Sequence, residues 1–480
     1  MSLSDYTSYD GLGLADLVAR KQVKAEELAA AALQAIEKVN PQLNAVLQTL
    51  PTQANDEIRK SLPQGPFTGV PFLIKELVLH AKGVRCDMGS KFAQGFTPTD
   101  DTELMARFRR AGLVLVGTTQ TPELGYNPTT ETTLFGPVHN PWDLTRSAGG
   151  SSGGSGAAVA AGVVPLAHAN DGGGSIRIPA SCNGLVGLKP SRDRIPTGPD
   201  YGDPLCGLAC EFIVSRSVRD SAALLDCVAG ADVGAPGALT LPTPSYREQI
   251  QNFPGKLRIA WTTTPASGAK VSPDCEKAVH ETVRLLESLG HTLIEDRPRY
   301  DWHTFLNNVH VIWTAFTTAM VDEAGAALGR KPGPDNLEAV TLACYEDGKR
   351  YSAADLVKAM AYNNTLSRQI GAFFQTCDVF LTPTIAQPPA PLGEVNQNRQ
   401  GLTAMEWTQQ VFTYVPFTPA FNSTGQPAMS LPLHWNANGL PIGVQFVGRF
   451  GDEATLLRLA AQLEQAKPWA GKRPPVHAAN

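Results

Sequence analysis

Two clusters of glycine and serine hold the residues best able to do chemistry in this 480-residue chain. The first runs Ser147-Ala148-Gly149-Gly150-Ser151-Ser152-Gly153-Gly154-Ser155-Gly156, the second Asp171-Gly172-Gly173-Gly174-Ser175-Ile176-Arg177. A serine hydroxyl attacks a carbonyl once a base takes its proton, and glycine lets backbone N–H groups approach a small anion or oxyanion. Three chemistries compete for this region. Phosphate binding lacks its frame: there is no Gly-x-x-x-x-Gly-Lys-Ser/Thr run, and no Gly-x-Gly-x-x-Gly follows a strand with an acidic residue after it. A nucleophile elbow is matched in letters by Gly149-x-Ser151-x-Gly153. The residues before it, Trp142 to Ser147, do not form the apolar strand an elbow needs. None of the downstream histidines (His168, His280, His291, His303, His310, His434, His477) sits in an informative motif. The third chemistry is a serine hydrolase with a lysine base. Lys75 ends the apolar run Gly69-Val-Pro-Phe-Leu-Ile, where burial would lower its pKa from ~10.4. The competing reading of Lys75 is a strand-end lysine that snorkels to solvent or pairs with Glu76.

Positioning such groups falls to the elements around them. Helical patterns cover Leu14 to Arg20 and Ala25 to Val39, the latter stopped by Asn40-Pro41. A polar helix is expected near Gln53 to Ser61. The amphipathic helix Asp101 to Ala111, Gly112 and the strand Leu113 to Gly117 give the helix-Gly-strand order of an α/β layer. Thr118 to Asn140 reads as a long irregular segment, in which Tyr126 and Asn127 are candidate pocket residues or members of a surface turn. A helix from Ala157 and a strand from Val163 to Ala169 connect the two clusters. Alternating strands and helices continue from Ile213 to Glu295. Long helices are expected over Trp302 to Leu328 and Ala353 to Thr376, with another between them. Ala428 to Leu433 and Ile442 to Phe446 read as a hairpin. Glu453 to Glu464 reads as a closing helix, and the tail after Trp469 is expected to pack poorly. The fold class is therefore α/β.

Composition narrows the function. The chain is 42% hydrophobic and 18% charged, enough for a large core. A net charge of −5 with both signs interspersed argues against nucleic acid or anionic membrane as partner. The N-terminus lacks a signal peptide's basic and apolar regions, and no apolar run approaches the ~18 residues of a membrane helix. Eight scattered cysteines contain no Cys-x-x-Cys pair, so no metal site is expected and a cytoplasmic location with free thiols fits.

Lys75, Gly149-Gly-Ser151-Ser-Gly-Gly-Ser155 and Asp171-Gly-Gly-Gly-Ser175-Ile-Arg177-Ile-Pro179 together resemble the amidase signature family. The similarity continues through Cys182-Asn-Gly184-Leu-Val-Gly187-Leu-Lys189-Pro190, Gly425-Gln-Pro-Ala-Met-Ser430 and Gly439-Leu-Pro-Ile-Gly443-Val-Gln445, so it spans about Leu14 to Trp469. It implies one large amidase domain over residues 1–480, with a mixed twisted sheet wrapped by helices. The signature core would cover about 65–195, a helical and pocket-forming region 230–425, and a hairpin and helix 426–469. By the same resemblance Ser175 would form the acyl-enzyme. Ser151, on a cis peptide bond, would relay the proton, and Lys75 would be the base. The backbone N–H groups of Gly172, Gly173, Gly174 and Ser175 would hold the oxyanion. Ser152, Asp171 and Arg177 would support them from behind, the last two as an internal ion pair that does no chemistry. No cofactor or metal is implied.

Within the family the chain looks closest to members acting on 6-aminohexanoate oligomers and on aryl amides. A neutral, partly hydrophobic aryl, aliphatic or 6-aminohexanoate-type amide is the expected substrate, with Tyr126, Asn127 and Trp313 as candidate lining; for each, plain core packing is the competing reading. A monomer or homodimer is expected. Two alternatives remain: an amidotransferase subunit that releases ammonia, and a catalytically silent binding protein with the same fold.

Overall fold

A computed structural model describes residues 1–480. Eleven strands form its central sheet: β1 Val46–Thr49, β2 Pro71–Lys75, β3 Val114–Thr119, β4 Leu166–Asp171, β5 Val186–Lys189, β6 Cys210–Ser215, β7 Arg258–Trp261, β8 Thr292–Glu295, β9 Val379–Pro383, β10 Ala428–Trp435 and β11 Pro441–Gly448. Their order across the sheet is β1-β3-β2-β4-β6-β5-β10-β11-β9-β7-β8. Pairings among β3, β2 and β4 are parallel, as are those among β8, β7 and β9; the others are antiparallel, so the sheet is mixed. Strands β2, β3, β4 and β6 are buried along their whole length. That matches the apolar runs Phe72–Ile74, Val114–Val116 and Phe212–Val214, because a strand covered on both faces needs no polar alternation; β4 is the exception, its His168, Asn170 and Asp171 finding partners inside.

The glycine- and alanine-rich helix Gly153–Ala160 runs out of the first glycine cluster and is buried at every position. Its glycines bring backbones together: a Cβ on Gly154 would stand 2.5 Å from the Gln120 nitrogen and 2.6 Å from the Ala45 carbonyl oxygen. Long helices Trp302–Leu328 and Ala353–Phe373 cross the other side and, with Ala404–Tyr414, enclose a second apolar core that includes Phe305, Trp407 and Phe412.

Two sequence expectations are corrected. The helix starting at Ala25 does not stop at Asn40-Pro41 but runs to Leu43, with Asn44 in the left-handed region. Asn40 anchors the chain that leaves the helix: its Oδ1 accepts from the Ala45 and Val46 N–H groups, 2.8 Å each, and its Nδ2 donates to the Val46 carbonyl. The tail after Trp469 is not loose. His477 and Ala478 are buried, and the Ala478 N–H donates to the Ala161 carbonyl at 2.8 Å. The small Gly162 leaves room there, since a Cβ on it would meet the His477 ring at 2.8 Å. No helix is long and apolar enough to cross a membrane.

Candidate active site

Strand β2 delivers Lys75 into the interior, where its side chain is 0% exposed. Nζ stands 2.7 Å from Ser151 Oγ and donates to Asn170 Oδ1 at 2.5 Å. The snorkelling reading is thereby overturned, and so is the pairing with Glu76. That carboxylate turns away to accept from Gln48, Thr118 and the Asp87 N–H. Burial lowers the Lys75 pKa from 10.5 to about 7, against the pull of Glu211 and then Asp171, which favour the charged form. A lysine in that range has an available lone pair near neutral pH, and its nearest hydroxyl is Ser151.

Ser151 follows a cis Gly150–Ser151 peptide bond. Gly150 is required by close approach: a Cβ there would lie 2.4 Å from the Thr129 carbonyl oxygen and 2.6 Å from that of Asn127. The polar strand Asp143–Ser147 leads into this turn and pairs with His139–Asn140 and, at Arg146, with Pro391, outside the main sheet, so the elbow frame is absent. Ser152 ties the two clusters together. Its Oγ accepts from the Asn170 N–H and donates to the Asn170 carbonyl, 3.3 Å each.

The second glycine cluster starts where β4 ends. Asp171 and Arg177 are both 0% exposed and form an ion pair, Nη2 to Oδ1 at 2.8 Å and Nε to Oδ2 at 2.9 Å. Burial pushes the Asp171 carboxyl up, but the Arg177 charge and hydrogen bonds outweigh it and hold the pKa at about 2. Arg177 also donates to Gln445 Oε1, Asn422 Oδ1 and the Thr418 carbonyl, and Thr418 Oγ1 donates to the Gly173 carbonyl at 2.7 Å. These contacts brace Gly172 to Ser175 from one side. Gly174 has φ +141°, a value that favours glycine, and a Cβ there would meet Ile178 and Thr418 at 2.6 Å. None of the N–H groups of Gly172, Gly173, Gly174 and Ser175 donates to another backbone carbonyl. Ser175 is 7% exposed and its hydroxyl makes no hydrogen bond within the protein, to Ser151 or to any other group. Catalytic hydrogen bonds are often open in a ligand-free enzyme.

Aromatic side chains wall the loop. The half-buried Trp313 stacks on Tyr126, centroids 4.3 Å apart at 14°. Its ring would lie 3.3 Å from a Cβ on Gly172, and Phe412 would lie 3.8 Å from one on Gly173. Tyr126 is fixed from behind, its hydroxyl 2.7 Å from Thr408 Oγ1 and its carbonyl accepting from Trp407 Nε1. Asn127 is taken up by the fold: Oδ1 accepts from the Thr129 N–H and hydroxyl, and Nδ2 donates to the Val395 carbonyl.

Sequence reasoning missed Asn170 as a site residue, although it holds Lys75 and is itself anchored by Nδ2 donating to the Leu77 carbonyl at 2.9 Å. Its signal was available as the residue just before the Asp-Gly-Gly-Gly-Ser run. His168 and Glu211 were missed as well. The Lys75 N–H donates to His168 Nδ1 at 3.3 Å, and His168 Nε2 lies 2.6 Å from Glu211 Oε2.

With this geometry in place, the comparisons with known proteins are specific. The family model described as Amidase matches residues 27–457. The 6-aminohexanoate-cyclic-dimer hydrolase of Paenarthrobacter ureafaciens is 37% identical over 482 residues, covering 97% of this chain and 96% of that protein. A solved 6-aminohexanoate cyclic dimer hydrolase in complex with substrate superposes with a TM-score of 0.93 at 34% identity, over 98% of this chain and 99% of that one. A bacterial aryl acylamidase of the amidase signature family superposes with a TM-score of 0.85 at 25% identity, over 96% and 97% of the two chains. The chain belongs to the amidase family and is a hydrolase of carbon–nitrogen amide bonds.

Proposed function

We propose that this amidase cleaves neutral, partly hydrophobic carboxylic amides through an acyl-Ser175 intermediate, with Ser151 as proton relay and Lys75 as base. The observation that carries the reading is the 2.7 Å approach of Lys75 Nζ to Ser151 Oγ in a site where burial keeps the amine near neutrality. Lys75 takes the Ser151 proton while Ser151 takes that of Ser175, which a hydroxyl can do because it both donates and accepts. Ser175 Oγ bonds to the carbonyl carbon, and the oxyanion is held by the N–H groups of the Gly172 to Ser175 loop. One such donor is worth about 10²–10³ in rate. The proton returns through Ser151 to the nitrogen, the C–N bond breaks, and the amine or ammonia leaves. Water, deprotonated by the same relay, then releases the acid and restores Ser175.

Substrate class rests on the walls. Trp313, Tyr126 and Phe412 offer flat apolar surface beside the loop. The buried Trp313 Nε1 has no acceptor within the protein. A cavity of about 240 Å³, lined mainly by apolar side chains such as Val78, Met88 and Met320, lies further along the helix Trp302–Leu328. The relatives named for 6-aminohexanoate cyclic dimer point to amides with an aliphatic chain, the aryl acylamidase to aromatic ones. A monomer or homodimer in the cytoplasm, with its eight cysteines free, belongs to the same proposal.

The test is a hydrolysis screen of aryl, aliphatic, cyclic 6-aminohexanoate and peptide amides, with ammonia and amine release measured separately. Turnover is expected for aryl or aliphatic amides, and Ser175→Ala and Lys75→Ala should each reduce it at least 10³-fold, on the scale of losing a catalytic triad member. Full activity in Ser175→Ala with complete loss in Ser151→Ala would make Ser151 the nucleophile instead.

A further inference from the structure

Beneath the Lys75–Ser151 contact lies a buried pair that the mechanism above does not use. His168 on β4 and Glu211 on β6 are 0% and 2% exposed. The antiparallel register sets Glu211 opposite Asn170 and Ile213 opposite His168, so Glu211, Asn170 and His168 share one face of the sheet. The tautomer of His168 follows from its partners. Nδ1 receives the Lys75 N–H at 3.3 Å and must therefore be unprotonated, which leaves Nε2–H to donate to Glu211 Oε2 at 2.6 Å. The ring is neutral, and the pair carries one net negative charge. The second oxygen, Glu211 Oε1, is buried without a hydrogen-bond partner.

A buried carboxylate with one bare oxygen is costly to keep unless a nearby cation uses its field. The groups around Lys75 single out that cation. From β4 come Asn170, His168 and Asp171; from β6 comes Glu211; from the cis-peptide turn comes Ser151. Asp171 is already matched by Arg177 at 2.8 Å, and Glu76 points away to Gln48 and Thr118. Lys189, also buried, faces Asp171 and Cys210. Glu211 thus has no arginine or lysine partner, and its effect on Lys75 exceeds that of Asp171.

Resting on the reading of Lys75 as the base, we infer that the His168–Glu211 pair is a positioning device for that base. His168 pins the Lys75 backbone, and the Glu211 carboxylate supplies the negative field that keeps the amine basic enough to deprotonate the serines. Burial alone would drive the amine towards permanent neutrality, where it holds a lone pair but binds a proton too weakly. The carboxylate offsets part of that. Neither residue touches the reacting atoms.

The pH profile separates this role from a purely structural one. The rate at which a serine-directed phosphonate labels Ser175 should fall on the acid side as Lys75 takes up a proton. In Glu211→Gln the field is removed, Lys75 loses basicity, and the acid limb should move to lower pH by about one unit or more. The plateau rate should fall several-fold, because a weaker base drives proton transfer less. Glu211→Asp retains the charge and should keep the limb within a few tenths of a unit of the wild type. His168→Phe fills the ring's volume beside Phe108 but strips Glu211 of its donor. The isolated carboxylate then takes up a proton, and the limb should again move down; this variant carries the test should Glu211→Gln fail to fold. An acid limb that stays in place in whichever of these variants folds overturns the inference while leaving Lys75 as base. A wild type with no acid limb, or a Lys75→Met protein that labels at the wild-type rate, overturns the base assignment itself, and this inference with it.

Discussion

Lys75 is the residue on which function and stability oppose each other. In the unfolded chain it holds its proton up to about 10.5, whereas in the fold it does so only to about 7. The folded state therefore disfavours the proton that the unfolded state keeps. The resulting penalty is full below about pH 7 and fades as pH rises towards 10.5. Its size is on the order of a few kcal/mol. Lys75→Met is expected to abolish turnover yet raise the unfolding midpoint at pH 6, with the gap to the wild type narrowing by pH 10. Denaturant unfolding at the two pH values reads this directly; an equal gap at both would contradict it. Lys75, Ser151 and Ser175 stood out in the sequence through the combined motif that resembles the amidase signature family; the glycine-serine clusters and a lysine on an apolar strand did not by themselves assign their roles. His168 and Glu211 were not legible in the same way. Their roles come from the pairing of β4 with β6, which brings together positions some 40 residues apart in the chain (His168 with Glu211, 43 residues). In the sequence they are an ordinary histidine and glutamate.

At the scale of elements, the two glycine clusters proved to have different physical reasons. Those of the first cluster let backbones touch, as Gly150 does against Thr129 and Asn127. Those of the second leave N–H groups unused within the fold beside an aromatic wall. The sequence alone did not separate them, since close approach of backbone to backbone and of backbone to ligand select the same residue. What holds the second loop is Arg177, whose guanidinium reaches four partners on three segments. Arg177→Met should leave the Asp171 charge buried and unpaired, at a cost of about 3–5 kcal/mol. It should also lower kcat more than tenfold, as the oxyanion donors lose their setting. Adding Asp171→Asn should recover much of the stability and little of the kcat. Thermal unfolding with steady-state kinetics on both proteins checks this, and an unchanged kcat in Arg177→Met would show that the loop holds its shape without the brace. The helix that runs through Pro41 is the element most poorly foreseen: it ends only at Leu43, where Asn44 turns into the left-handed region.

At the scale of the molecule, α/β alternation was readable from strand and helix patterns, whereas the strand order was not. Strand β6 sits between β4 and β5, and β10 and β11 enter beside β5 from more than 200 residues downstream. No local pattern carries that information. The C-terminal tail was misjudged for a related reason: its proline- and glycine-containing sequence lacks periodicity, but it packs against Gly162 and Ala161 from the first half of the chain. The whole arrangement converges on one chemical claim, that Ser175 carries the acyl group and that Lys75, acting through Ser151, makes it nucleophilic. Peptide-mapping mass spectrometry after rapid acid quench of the protein with an activated aryl amide tests this most directly. The expected result is an acyl adduct on the peptide containing Ser175, absent in Lys75→Ala and in Ser175→Ala. An adduct on Ser151, or one on Ser175 that forms equally fast without Lys75, would contradict it.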